Sequence, residues 1–155
     1  MSMTDPVTAA VASRQRWTGI LARARTEDLE SAWRALPTKP AYEFLRRPEA
    51  GLVVLRGRAG GSGGQFNLGE ATVSRCAVQL PGSASGVGYV LGRDLRHAEL
   101  AAVFDALLQD EKIGAQLESN VIGPLAAAQA EARQAVARRS ADTKVNFFTM
   151  VRGMS

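Results

Sequence analysis

The densest group of side chains able to do chemistry lies in the second half of the chain. Gly92 is followed by Arg93 and Asp94, and then by His97 and Glu99. Asp94 is a residue type that begins helices, and the backbone N–H groups at such a beginning, with Arg93 beside them, can bind an anion. A histidine close to carboxylates can also transfer protons. The group therefore indicates either an anion site or an acid–base site.

The same group has a structural interpretation, which we favour. His97 lies three residues before Leu100 and seven before Phe104, so it falls on or beside the apolar face of a helix. A histidine there is expected to be hydrogen-bonded within the fold, with Arg96 and Glu99 as a surface ion pair. A single histidine with no obvious partner is weak evidence for acid–base work.

A second candidate region combines two arginines with a glycine-rich segment. Arg56 and Arg58 precede glycines at positions 60, 61, 63 and 64, and glycine lets backbone N–H groups converge on a phosphate. The segment has no Gly-Lys-Ser/Thr entering a helix, which favours a connection between antiparallel strands. Glu70, at the start of the next strand, could meet His97. The candidates for a polar or anion-binding cluster are thus Arg56, Arg58, Glu70, Arg93, Asp94, His97 and Glu99.

The residue counts exclude several kinds of site. The chain of 155 residues has one cysteine and one histidine, so it can form neither an internal disulfide nor a zinc site of the usual four-ligand kind. Cys76 lies among Val73, Val78 and Leu80, which favours a core position over a nucleophile. We therefore assign no metal ligand to this chain.

The charge balance is basic, with 19 Lys and Arg against 15 Asp and Glu and a formal charge of +4. This suits an anionic partner or a solvated basic surface. The basic residues are scattered and aromatic residues make up 6%, which argues against nucleic-acid binding. No apolar run is long enough to cross a membrane, and no signal peptide is apparent. We expect a cytoplasmic protein.

The order of patterns predicts an α+β fold. Apolar residues recur at helical spacing through the first 36 residues, with Thr26 as the expected N-cap of a second helix. Between about residues 41 and 91, apolar and β-branched segments predict an antiparallel sheet of three to four strands. The strand candidates are residues 52–55, 71–80 and 87–91, with a weaker fourth at 42–45 that a turn at 47–51 closes.

Helical spacing resumes after Asp94. It is interrupted near Gln109 and again at Gly123-Pro124, and an apolar stripe continues to Val136. Residues 1–139 are therefore predicted to form a single domain, with N-terminal and C-terminal helices packed on the sheet. Residues 140–155 form an unusually apolar tail, which must dock on its own sheet or on another chain. The expected partner-docking residues are Phe147, Phe148, Met150 and Val151.

Four segments carry motifs of a known family. They are RPEAGLVVLRGRAGGSG at 47–63, FNLGEATVSRC at 66–76, GYVLGRDLRHAELA at 88–101 and VNFFTMVRG at 145–153. In content and order they resemble the PhnG family, a subunit of the bacterial carbon–phosphorus lyase system. The likeness runs from about residue 29 to residue 153.

This resemblance implies a subunit of alpha-D-ribose 1-methylphosphonate 5-triphosphate synthase, in which an alkylphosphonate displaces adenine from MgATP, a substrate of the complex. It implies PhnI-type, PhnH-type, PhnJ-type and PhnL-type partners and two copies per complex; alone, the chain could form a homodimer. The resemblance gives no catalytic residue in this chain and no cofactor bound by it. We expect a scaffold or site-completing subunit, whose arginines face partner carboxylates or, alternatively, substrate phosphates. Two different functions compete with this one: a stand-alone enzyme using His97 and Glu70 on an anionic substrate, and a nucleic-acid-binding accessory protein.

Overall fold

The structure, a computed structural model, describes residues 6–82 and 84–142. The strands are β1 (Glu43–Arg58), β2 (Gln65–Gln79) and β3 (Ser85–Leu91), and they form one antiparallel sheet in the order β1-β2-β3. The helices are α1 (Pro6–Ala22), α2 (Thr26–Ala35), α3 (Leu95–Leu108), α4 (Gly114–Leu117) and α5 (Gly123–Asp142). The predicted α+β class, with helices before and after a three-stranded sheet, is confirmed.

The helix α3 packs on β2 and β3 and forms the centre of the core. Burial alternates along β3, as expected for a strand with one covered face, and Gly86 and Gly88 are on that face. A Cβ atom on Gly88 would lie 1.9 Å from the carbonyl oxygen of Ala98, and one on Gly86 would lie 2.0 Å from that of Ala102. Strand and helix backbones approach so closely here that only glycine fits.

Two further helices, α1 and α2, pack on other sides of α3. As a result α3 is buried around most of its circumference, whereas its sequence indicated a single apolar stripe. Trp17 and Leu21 of α1 and Leu29 of α2 are buried in this core. The prediction that Thr26 is the N-cap of α2 is wrong, because the helix already begins at Thr26 and Arg25 precedes it.

The ribbon formed by β1 and β2 is longer than the sequence predicted. The expected turn at 47–51 is wrong, since β1 continues through Pro48 as one strand of 16 residues. The pairing with β2 shifts register twice near the proline, between Phe44 and Arg46 and between Arg46 and Glu49. β1 is an edge strand, where proline is tolerated. The weak fourth strand is therefore the beginning of β1.

The connection between β1 and β2 is a short loop, as its glycines predicted. It includes a 3₁₀ turn at Ala59–Gly61, and Gly60 and Gly61 have positive φ angles of 59° and 81°. Glycine adopts such angles with no steric penalty, because it has no Cβ atom. Arg58 stabilises the loop, because one of its terminal nitrogens donates to the carbonyl oxygen of Gly63 at 3.3 Å.

The C-terminal helical region is interrupted where the sequence indicated. α3 ends at Leu108, and a π-helical turn at Glu118–Ile122 precedes α5. Leu117, Val121 and Ile122 are buried, but from residue 131 to residue 141 the helix is almost entirely exposed. The predicted apolar face is thus wrong beyond about residue 130. The proposed docking residues Phe147, Phe148, Met150 and Val151 lie outside the described residues.

Candidate functional site

Asp94 connects the first turns of two helices. Its Oδ1 accepts the backbone N–H of His97 at 2.9 Å, which makes it the N-cap of α3 as predicted. Its Oδ2 accepts the hydroxyl of Thr26, at the start of α2, at 2.5 Å. The Thr26 bond, followed by that of His97, holds the pKa of Asp94 below its usual value. The carboxylate therefore has a structural task in joining α2 to α3.

His97 joins α3 to α1. Its side chain is buried, and its Nε2 lies 2.8 Å from the carbonyl oxygen of Leu21. A carbonyl oxygen can only accept, so Nε2 carries the proton in this contact. The structural interpretation of His97 is therefore supported by its geometry.

Glu99 and Arg96 belong to a network at the same end of α3. Arg96 Nε donates to Glu30 at 2.7 Å, a second Arg96 nitrogen lies 3.0 Å from Glu99, and the Tyr42 hydroxyl donates to Glu99 at 2.5 Å. The predicted Arg96–Glu99 pair is confirmed. Burial, reinforced by the bond to Glu99, raises the pKa of Tyr42 to about 12. The network fastens α2 and the segment before β1 to α3.

The other predicted residues lie elsewhere. Glu70 is opposite Val54 in the ribbon, and Arg56 and Arg58 follow on β1. Arg93 is exposed in the turn between β3 and α3. Within residues 6–82 and 84–142, the side chains of Arg56, Glu70 and Arg93 make no hydrogen bond or ion pair. The structure thus brings Asp94, His97 and Glu99 to one end of α3, but it does not join Glu70 to His97.

The outer half of the ribbon carries several exposed apolar side chains. We call it the hairpin arm and define it as residues 52–72. β3 ends opposite Val73, so over the arm β1 and β2 pair with each other alone for roughly 20 Å. Its exposed apolar residues, with their exposed fractions, are Leu52 (66%), Val54 (55%), Leu55 (42%), Phe66 (47%) and Leu68 (66%).

Both faces of the hairpin arm carry apolar side chains. Alternation along β1 places Leu52 and Val54 on one face, together with Arg56 and Arg58. Leu55 and Gly57 are on the other face. A Cβ on Gly57 would lie 3.5 Å from the Phe66 ring and 3.9 Å from Leu68, so these two side chains share that second face.

Sequence reasoning missed a buried carboxylate in the middle of α3. Asp105 is fully buried and accepts from Trp17 Nε1 at 2.8 Å, from Arg14 at 2.8 Å and from the backbone N–H of Val87 at 2.9 Å. Asp105 thereby accepts one backbone N–H of the edge strand β3 and joins this strand to α1. The sequence did carry one sign of it, an acidic residue inside the apolar stripe, where a charge persists only if it is paired.

An apolar groove of about 470 Å³ lies between the end of α2 and α4. Its wall includes Leu36, Pro37, Leu107, Ile113 and Val121 and contains no charged side chain. Such a groove can hold an apolar group. In the described parts of the chain, no cluster of His, Cys, Asp or Glu could hold a metal ion. Nor does any described helix have the length and apolar character to cross a membrane.

These features define a class of protein. It is a small α+β domain in which Asp94, His97 and Glu99 form hydrogen bonds within the fold. Its hairpin arm presents apolar side chains that the described domain leaves uncovered. Proteins of this class are suited to assembly with other chains.

The comparisons with known proteins agree with this class. A sequence model described as "Phosphonate metabolism protein PhnG" matches residues 12–153, so the chain belongs to the PhnG family. It is also 47% identical over 145 residues to a protein of Rhizobium meliloti (strain 1021) named "Alpha-D-ribose 1-methylphosphonate 5-triphosphate synthase subunit PhnG". The alignment covers 94% of this chain and 92% of that relative. The family resemblance seen in the sequence is confirmed.

Proposed function

We propose that this chain is a subunit of alpha-D-ribose 1-methylphosphonate 5-triphosphate synthase and acts in the degradation of organic phosphonates. The supporting observation is its 47% identity, over nearly the full length of both chains, to a relative named as such a subunit. In the reaction an alkylphosphonate displaces adenine from the ribose of MgATP. MgATP is here a substrate of the assembled complex.

The subunit acts as a scaffold or completes a site made largely by its partners. His97, Asp94 and Glu99, the residues best suited to acid–base work, are each hydrogen-bonded to another element of the fold. Arg56 and Arg93 have no such bond in the described chain and are available to another molecule. A guanidinium binds carboxylates and phosphates in two-point geometry, and we favour partner carboxylates as its ligands.

The partners are PhnI-type, PhnH-type, PhnJ-type and PhnL-type subunits, with two copies of this chain in a cytoplasmic complex. The apolar tail docks on one of them through Phe147, Phe148, Met150 and Val151. Burial of apolar side chains at the centre of an interface is the usual source of its stability.

The first experiment is co-expression of the tagged chain with these partners, followed by mass determination and an assay of adenine release from MgATP and methylphosphonate. We expect a stable hetero-oligomer whose activity requires this chain and survives the His97→Gln substitution. Turnover by the chain alone, abolished in a folded His97→Ala variant, would instead support the stand-alone enzyme. Steeply salt-dependent binding to DNA or RNA would support the nucleic-acid accessory protein.

Deletion of residues 142–155 tests the role of the tail. We expect unchanged helical circular dichroism and weaker co-purification with the partners, because the deletion removes apolar docking residues. Loss of solubility and of helical signal would show that the tail belongs to the core of the domain.

A further inference from the structure

We propose that the hairpin arm, residues 52–72, inserts into an apolar groove of a partner protein whose rim carries carboxylates opposite Arg56 and Arg58. This inference rests on the proposed function, because it assumes that the chain works within an assembly. It adds the surface through which the chain binds and the chemistry of the partner surface that receives it.

The distribution of apolar side chains on the arm calls for a groove. Leu52 and Val54 are exposed on one face, and Leu55, Phe66 and Leu68 are exposed on the other. Their combined exposed area is on the order of 500 Å², and it is divided between the two faces. A flat partner surface would cover one face and leave the other in water. A groove removes both faces from water.

The charges on the arm indicate an acidic rim. Arg56 makes no hydrogen bond or ion pair in the described chain, and Arg58 donates only to the loop carbonyl of Gly63. Both arginines lie on the face of Leu52 and Val54, beside the apolar side chains that the groove would cover. Burying an unpaired guanidinium is costly, so a partner that covers this face must supply carboxylates.

A second copy of this chain is a poorer occupant. A two-fold contact between two arms uses the same patch on both copies, so the interface contains four arginines and only two Glu70 carboxylates. An acidic partner groove balances this excess of positive charge instead. In addition, β1 is an edge strand of the described sheet, so its outer backbone groups can pair with a strand of the groove.

The test uses the full-length chain co-expressed with its partner subunits. Leu52→Asp changes one face of the arm, Leu68→Asp changes the other, and Arg56→Glu reverses a charge. The matched control is Leu91→Asp, because Leu91 is 76% exposed on β3, outside the arm. We expect each arm variant to weaken binding at least tenfold with unchanged circular dichroism, and the control to bind within about twofold of the wild type.

The outcomes separate this inference from the proposed function. If the wild-type chain forms no complex with the partners, both are wrong. If it forms a complex that all three arm variants retain, only the hairpin-arm inference is overturned. An effect of Leu52→Asp without one of Leu68→Asp overturns the groove. A wild-type homodimer in light scattering that Leu52→Asp dissociates overturns the partner groove and assigns the arm to a second copy.

Discussion

The two halves of β2 differ in burial, although both belong to one strand and both pair with β1. In residues 73–79, the side chains of Val73, Cys76 and Val78 are buried, and burial raises the pKa of the Cys76 thiol to about 11. In residues 65–72, Phe66 and Leu68 are exposed. Both halves pair with β1, so pairing does not account for the difference.

The difference comes from what packs on each half. Over residues 73–79 of β2 the ribbon gains β3 as a third strand, and the buried side chains of β2 lie only in this part. Residues 65–72 pair with β1 alone and have no buried side chain. The apolar side chains of a strand are therefore buried only where another element covers them. The uncovered half keeps apolar side chains exposed to water, which is why it is a candidate surface for another protein.

The largest expected effect compares glycines from the two halves of the sheet. Gly88→Ala places a Cβ 1.9 Å from the carbonyl oxygen of Ala98, so β3 and α3 must separate. We expect a loss of about 3 kcal/mol in the free energy of unfolding, measured by urea titration. The control is Gly69→Ala in the hairpin arm, where a Cβ meets nothing within 4 Å. Equal effects of the two substitutions would contradict the comparison.

The next effect concerns Asp105, which joins α3 to α1 and β3 in the covered half of the sheet. Asp105→Asn removes the charge that accepts from Arg14, Trp17 and the backbone of Val87. Because one of the two acceptor oxygens becomes an amide NH2 group and the ion pair with Arg14 is lost, we expect about 2 kcal/mol of destabilisation in urea unfolding. Glu111→Gln, in the exposed turn after α3, is the control and should change stability by less than about 0.5 kcal/mol. A neutral Asp105→Asn variant would show that the carboxylate is dispensable.

A pair of identical substitutions tests the two halves directly. Val78 is fully buried and Val54 is 55% exposed, and both lie in the β1–β2 ribbon. Val78→Ala should cost about 2 kcal/mol, because it leaves a cavity in the core. Val54→Ala should stay within about 0.5 kcal/mol. Thermal unfolding of the isolated chain measures both, and a substantial loss for Val54→Ala would mean that the arm is covered by the chain itself.

The smallest effect is a pH dependence at the base of the ribbon. The folded state raises the pKa of Tyr42 from 10.0 to about 12, mainly through burial and then through the bond to Glu99. The neutral phenol therefore stabilises the fold fully below pH 10, and this contribution is lost as the pH rises through 12. Tyr42→Phe should reduce the loss of stability over this interval. Phenolate absorbance that titrates at pH 10 in the folded chain would contradict the prediction.

Local patterns allowed much of the architecture to be predicted. The strand at residues 87–91, the helix N-cap at Asp94 and the glycine loop between β1 and β2 depend on neighbours within a few residues, and all three are confirmed. The continuity of β1 through Pro48 was missed. A strand tolerates a proline when it lies at the edge of the sheet, and the local sequence does not show that β1 is an edge strand. The family was also identified from its motifs.

The candidate site was predicted less well, because its contacts join distant parts of the chain. Asp94, His97 and Glu99 do lie at one end of α3, because they fall within six consecutive residues of the sequence at the start of this helix. The bond of His97 to Leu21 spans 76 residues, and that of Asp105 to Trp17 spans 88. No local pattern indicates such partners.

The sequence by itself determined the kinds of element, their order and the family to which the chain belongs, since these follow from local backbone preferences and from motifs. Only the tertiary structure decided which apolar residues become buried. Phe66 and Val78 look equally suited to a core, yet one is exposed and the other is fully buried. The physical reason is that burial requires a covering element, and β2 is buried only along the half that also pairs with β3.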